Sequence, residues 1–172
     1  MKKFFLRIDA ILVLAKSAKD DLTAIGVPAE KIFVYTNWID LKAKFYPQDQ
    51  QKCRKELNLD TGKFIALFVG RLSPEKGVRL LLDTIPKVPK EIQFVIVGGG
   101  PMKPEVEKAA EKYKNINYIG PVANDKLPLF YNAADVLFWG SVDQDYFGRV
   151  TMGALACGLP VIIPAKTEYF KV

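Results

Sequence analysis

From residue 64 onward the chain alternates short apolar runs with helical patterns, and this rhythm restricts the fold more than any other feature of the sequence. The apolar runs cover 64–69, 93–97, 116–119, 136–138 and 160–163; the helical patterns cover 78–85, 104–114, 125–132 and 147–156. The runs are nearly continuous in apolar character. That is the pattern of parallel strands buried on both faces, so the expected class is α/β, a parallel sheet with helices on both faces. A short β-α-β unit precedes it: an apolar run over 8–14, a helix over 18–25 with Ser17 as its N-cap and Gly26 as its stop, and a strand over 32–35. A mixed polar and aromatic stretch up to Gln51 reads as a linker, and a short helix over 52–57 follows it. No internal repeat or low-complexity tract is present.

Parallel strands all end on one side, so the loops 70–76, 98–101, 120–122 and 140–147 share a sheet edge, the edge where ligands bind in open α/β sheets. The stretch Phe68-Val-Gly-Arg-Leu-Ser-Pro-Glu-Lys-Gly77 brings Arg71 and Lys76 to that edge, between a strand and the start of a helix. Backbone N–H groups at a helix start favour an anion, and two cations beside them make a receptacle for a phosphate or diphosphate. The alternative is that Arg71 and Lys76 are solvated surface charges and Ser73-Pro74-Glu75 caps the helix.

The net charge of +6 points to an anionic partner, but no Lys/Arg block is interleaved with aromatics, so nucleic acid is the weakest candidate. Histidine is absent, which removes the commonest general base and any Ser-His-Asp or Cys-His arrangement within this chain. Cys53 and Cys157 have neither metal-ligand spacing nor a disulfide framework, and this suits a reducing, cytoplasmic setting. The first fifteen or so residues imitate a secretory signal, but Arg7 and Asp9 interrupt its apolar centre, and no run is long and apolar enough to span a bilayer.

Three motifs mislead. Gly98-Gly99-Gly100 fails the dinucleotide fingerprint because Lys103 stands where the third glycine belongs, and it reads better as a turn. Residues 70–77 are no Walker motif, since Lys76 is followed by Gly77. Asp143-Gln144-Asp145 spells a D-x-D cation site that nothing nearby completes. Trp38 and Trp139 read as packing residues rather than sugar platforms.

Several motifs occur together in consistent order: Gly70-Arg71-Leu72 with Glu75-Lys76-Gly77; Val97-Gly98 to Pro101; Ile119-Gly120-Pro121-Val122; Ala134-Asp135-Val136; and Asp145-Tyr-Phe-Gly148 running into Ala156-Cys-Gly-Leu-Pro-Val-Ile162. In these the chain resembles the nucleotide-binding half of retaining, GT-B-fold glycosyltransferases of family four (glycosyl transferases group 1). Upstream, residues 9–22, 26–34 and 37–40 resemble the last β-α-β unit of that family's acceptor domain and its hinge. The resemblance implies a Rossmann-like domain over 41–172, the C-terminal half of a GT-B fold truncated at its C-terminus, and a remnant of the acceptor domain over 1–40.

It further implies transfer of a hexose from a nucleotide-diphosphate sugar to a lipid or saccharide acceptor, with the sugar nucleotide as substrate, no cofactor and no metal. Arg71 and Lys76 would hold the diphosphate and Asp145 would lie near the transferred sugar. Gly70, Gly100, Val122 and the backbone of Phe147, Gly148 and Arg149 would line the donor site. An acceptor domain, from this or another chain, and peripheral membrane contact through a lipid acceptor are the implied partners.

One departure bears on the chemistry. The family's paired acidic positions fall on Asp145 and on Gly153, which has no side chain to hold a ribose. The alternative to an enzyme is therefore a non-catalytic nucleotide-binding or assembly module of the same descent.

Overall fold

A computed structural model describes residues 7–35, 38–141 and 148–163, and the chain divides into two compact units, Met1–Trp38 and Ile39–Val172. In the first unit, strands β1 (Ile11–Val13) and β2 (Ile32–Val34) pair in parallel, with Ile11 opposite Ile32, and are connected through helix α1 (Lys16–Ala24). Leu12, Phe33 and Val34 of this small sheet are exposed. The helix begins behind Ala15, which has extended backbone and makes no side-chain cap; Ser17 lies inside the helix and is not its N-cap. Trp38 is 78% exposed, so it is not a packing residue within its unit.

The second unit begins with α2 (Gln50–Glu56). Then come β3 (Phe64–Val69), a 3₁₀ turn (Pro74–Lys76), α3 (Val78–Thr84), β4 (Ile92–Val97), α4 (Lys103–Lys112), β5 (Ile116–Gly120), α5 (Leu127–Ala133), β6 (Val136–Phe138), α6 (Arg149–Ala156) and β7 (Val161–Ile162). The strands form one parallel sheet in the order β5-β4-β3-β6-β7. Each strand contributes side chains alternately to two apolar layers. Ala66, Phe68, Phe94 and Ile96 face Val78, Leu81 and Val106 of α3 and α4, while Ile65, Leu67, Val95 and Val97 face Cys53, Phe130, Tyr131 and Ala154 of α2, α5 and α6. Double coverage is why these strands read as unbroken apolar runs.

The stretch expected to be a linker is part of this core. Phe45 is 7% exposed and packs in tilted contact with the Tyr131 ring, and Asn132 ties the same stretch down by accepting from the Gln48 amide at 2.7 Å and donating to the Tyr46 carbonyl at 3.1 Å. Its aromatics fill a face of the sheet that α2, α5 and α6 leave open.

Cys53 and Cys157 are both buried free thiols in this layer. Burial pushes the Cys157 thiol from 9.0 up to about 11 and raises Cys53 as well. The folded state thus holds the proton more tightly than the unfolded chain. For Cys157 the contribution is complete below pH 9 and is lost as pH rises through 11, about 3 kcal/mol for a shift of that size. Melting curves between pH 8 and 11 should show Tm falling above pH 9, less steeply in Cys157→Ala; parallel slopes for the two proteins would refute the assignment.

Candidate functional site

Strands β4 and β5 lie on one side of β3, and β6 and β7 on the other, so the direction of winding reverses between β3 and β6. A crevice at the carboxyl ends of two such strands is the usual ligand site of an open α/β sheet. Residues 70–77 leave β3 here, and residues 139–141 leave β6 beside them.

The loops on the β3 side are held together through the backbone. The Gly70 amide donates to Val97 O (3.0 Å), the Leu72 amide to Gly99 O (2.9 Å) and the Gly98 amide to Gly120 O (2.8 Å). The Tyr118 hydroxyl donates to Gly98 O at 3.0 Å. Gly98, at φ 141°, comes so close to the β3 loop that a Cβ would stand 1.8 Å from Gly70 O. Only glycine permits that approach. Gly70, Gly100 and Gly120-Pro121-Val122 thereby form one ledge along the sheet edge, with Gly100 exposed and Val122 half-buried.

Arg71 is exposed and Lys76 half-buried. Both lie within electrostatic reach of Glu75, whose carboxyl is held below the usual carboxylate range. The Ser73 hydroxyl is the main cause, followed by the carboxyl's own backbone amide, with smaller contributions from the charges of Arg71 and Lys76. Ser73 is 2% exposed, and although its Oγ lies near enough to favour the ionised Glu75, no partner stands within hydrogen-bonding geometry. Ser73 makes no side-chain cap, so the capping alternative for this stretch does not describe it; Pro74–Lys76 is a separate 3₁₀ turn ended by Gly77 in the left-handed region, at φ 74°.

At the same edge, after β6, α6 begins at Arg149 behind Gly148, whose carbonyl accepts from Thr151 Oγ1 at 2.8 Å. The first-turn amides of a helix have no intrahelical acceptor and remain available to an anion. Asp145 and Phe147 lie outside the described residues, as does the D-x-D stretch. Gly70, Arg71, Lys76, Gly100 and Val122 thus follow the carboxyl ends of β3, β4 and β5, and Gly148 and Arg149 open the helix that follows β6, all at one edge of the sheet.

From the sequence, Gly153 stands out for its missing acid and as a weak point inside a helix. It is buried in α6, and a Cβ there would meet Tyr131 Cε2 at 2.9 Å and Phe45 Cε1 at 3.2 Å. Two aromatic rings occupy the space beside the position. A different cavity, of about 260 Å³, lies at the opposite, amino-terminal edge of β6 and β7, lined by Gln48, Asn132, Asp135 and Cys157. It is remote from the cations. Among the described residues, no group of three or more His, Cys, Asp or Glu is placed to hold a metal, and no helix is long and apolar enough to cross a membrane.

The architecture and the site can be set beside known proteins. The chain is 28% identical over 162 residues to an uncharacterized glycosyltransferase of Methanocaldococcus jannaschii, a match covering 89% of this chain and 41% of that protein. It is 30% identical over 128 residues to the alpha-monoglucosyldiacylglycerol synthase of Acholeplasma laidlawii, covering 71% of this chain and 32% of the relative. Among solved structures it superposes on Anabaena HepE, crystallised in complex with UDP-glucose, with a TM-score of 0.75 at 24% identity, over 94% of this chain and 46% of that one. The chain thus spans less than half the length of each. Residues 49–171 match the sequence model of glycosyl transferases group 1, and the chain belongs to that family.

Proposed function

We propose that these residues form the donor-binding part of a nucleotide-sugar-dependent, retaining glycosyltransferase that passes a hexose to a lipid or saccharide acceptor. One observation carries the reading. Strands β3 and β6 are parallel neighbours at the switch point, so the turn bearing Arg71 and Lys76 and the first turn of α6 belong to the same sheet edge, which supports a reading in which cations and helix-start amides border one ligand. When the glycosidic bond of a sugar nucleotide breaks, the leaving diphosphate gains negative charge. Preorganised cations stabilise that state more than the ground state and so accelerate the step.

In this reading Arg71 and Lys76 hold the diphosphate, the amides at Phe147, Gly148 and Arg149 add donors, and Asp145 stands near the transferred sugar. Gly70 and Gly100 allow close approach of the ligand, and Val122 borders the base. Lysine and arginine supply the charge neutralisation that other transferases take from a metal. The acceptor is held by a domain that residues 39–172 do not supply. A lipid acceptor would bring the site to a membrane surface, on its cytoplasmic side. The HepE complex with UDP-glucose supports the choice of donor class through the shared fold, and the Acholeplasma relative supports a lipid acceptor.

Calorimetry with UDP, GDP and ADP tests the proposal. One of them should bind with a dissociation constant in the micromolar range, unchanged by a chelator, and Arg71→Ala should weaken it roughly 10- to 150-fold, the loss expected of a charge-assisted hydrogen bond. Absence of binding would favour the second reading, a non-catalytic module, for which the aromatic packing at Gly153 speaks.

A further inference from the structure

We infer that Ser141 is a positioning residue for Lys76, an inference that rests on the donor-binding reading above. The Pro74–Lys76 turn and the end of β6 meet with no side chain between them: a Cβ on Gly77 would stand 1.9 Å from Gly140 O and 2.6 Å from Gly140 Cα. Ser141, the next residue, is 1% exposed, and its Oγ donates to the Glu75 carbonyl at 3.2 Å. That carbonyl belongs to the same peptide unit as the Lys76 amide, which itself donates to Ser73 O at 3.2 Å.

The Glu75–Lys76 peptide plane is therefore held at both ends, by Ser73 O on its N–H and by Ser141 Oγ on its C=O. A peptide plane fixed at both ends fixes the N–Cα axis of the following residue, and the Gly77 amide, donating to Pro74 O at 3.0 Å, holds the next plane, so together they restrict the direction in which the Lys76 Cα–Cβ bond leaves the chain. For Lys76, that direction decides how much of its side-chain freedom must be lost when an anion is bound. A 3₁₀ turn of three residues, with poor internal hydrogen-bond geometry, would not hold the plane unaided. Ser141 sits on the loop from β6 and Lys76 on the loop from β3, so the hydrogen bond also ties together the two walls of the crevice.

A double-mutant cycle separates positioning from general support, because residues acting through one another are non-additive and independent ones are additive. The probe is whichever of UDP, GDP and ADP binds the parent chain most tightly. Binding is followed by NMR titration, which reads dissociation constants into the millimolar range. Ser141→Ala should weaken binding about 3- to 10-fold in the parent and by the same factor in an Arg71→Ala background, as expected of one neutral hydrogen bond. In a Lys76→Ala background it should have no effect, since no ammonium remains to be aimed. Should Ser141→Ala fail to fold, Ser141→Cys, which is only slightly larger, leaves no cavity and weakens the donor, runs the same cycle.

A factor unchanged in the Lys76→Ala background, or no effect in the parent, overturns the inference and leaves the donor-binding reading standing. A parent chain that binds none of the three nucleotides overturns both.

Discussion

Arg54→Ala should be the most destabilising single substitution among those considered, costing about 3–5 kcal/mol, the usual penalty for removing one partner of a buried ion pair. Arg54 is 3% exposed, and its guanidinium uses every edge. Nε donates to Ala133 O at 2.8 Å, Nη1 to Thr61 O and Lys63 O at 3.2 and 3.0 Å, and Nη2 to Asp135 Oδ2 at 2.6 Å. Asp135 in turn accepts from the Ile65 amide at 2.7 Å and from Gln50 Nε2 at 3.1 Å.

This network ties α2 and the amino ends of β3 and β6 together. The two strands themselves share only a short register, Ala66 opposite Val136 and Leu67 opposite Leu137. Truncating the arginine takes its donors from three carbonyls and leaves Asp135 without its charge partner, holding only the Ile65 amide and Gln50 Nε2. Because β3 and β6 flank the crevice, nucleotide binding should weaken as the fold loosens. Denaturant unfolding checks the first effect. A loss below about 1 kcal/mol would show that solvent satisfies these groups, as it does at exposed pairs.

Gly153→Glu, which would supply the acid that the resemblance to the family implies at this position, should destabilise the chain instead of improving donor binding. The first atom of any side chain meets Tyr131 Cε2 at 2.9 Å and Phe45 ring carbons at 3.2 and 3.3 Å. Tyr131 is 1% exposed and Phe45 7%, so neither ring can swing away cheaply. Overpacking costs about 1–3 kcal/mol. A carboxylate pressed against two rings adds a desolvation penalty. Against this, replacing glycine inside a helix recovers about 1 kcal/mol of backbone propensity, too little to offset both. The expected result is a lower Tm with nucleotide affinity no tighter than the parent's. Tenfold tighter binding at unchanged Tm would show that the side chain reaches the crevice and that the rings make way for it.

The two cases show where reading a sequence stops. Arg54 looks like any charged residue of a short helix, because its partners are 79 and 81 residues away at Ala133 and Asp135. Ser141 has no local signal either, since the carbonyl it meets belongs to Glu75, 66 residues earlier. Phe45 reads as part of a linker because nothing in its neighbourhood alternates; its burial depends on packing against Tyr131 and the buried layer around it. Ser17 has the composition of an N-cap, yet the helix starts one residue before it, because Ala15 already has the extended backbone that a cap position requires.

The periodicity of its apolar residues alone determined that this chain folds as a parallel α/β sheet and that the glycine-bearing loops, with Arg71 and Lys76 among them, share one edge. Chain direction settles that, for every parallel strand ends on the same side. Only the tertiary structure decided the lateral order β5-β4-β3-β6-β7, and with it which loops face one another across a crevice. Lateral order follows from how distant helix faces and strands pack, an energy no local stretch contains, and it is what brings the 3₁₀ turn bearing Lys76 against Gly140 and Ser141.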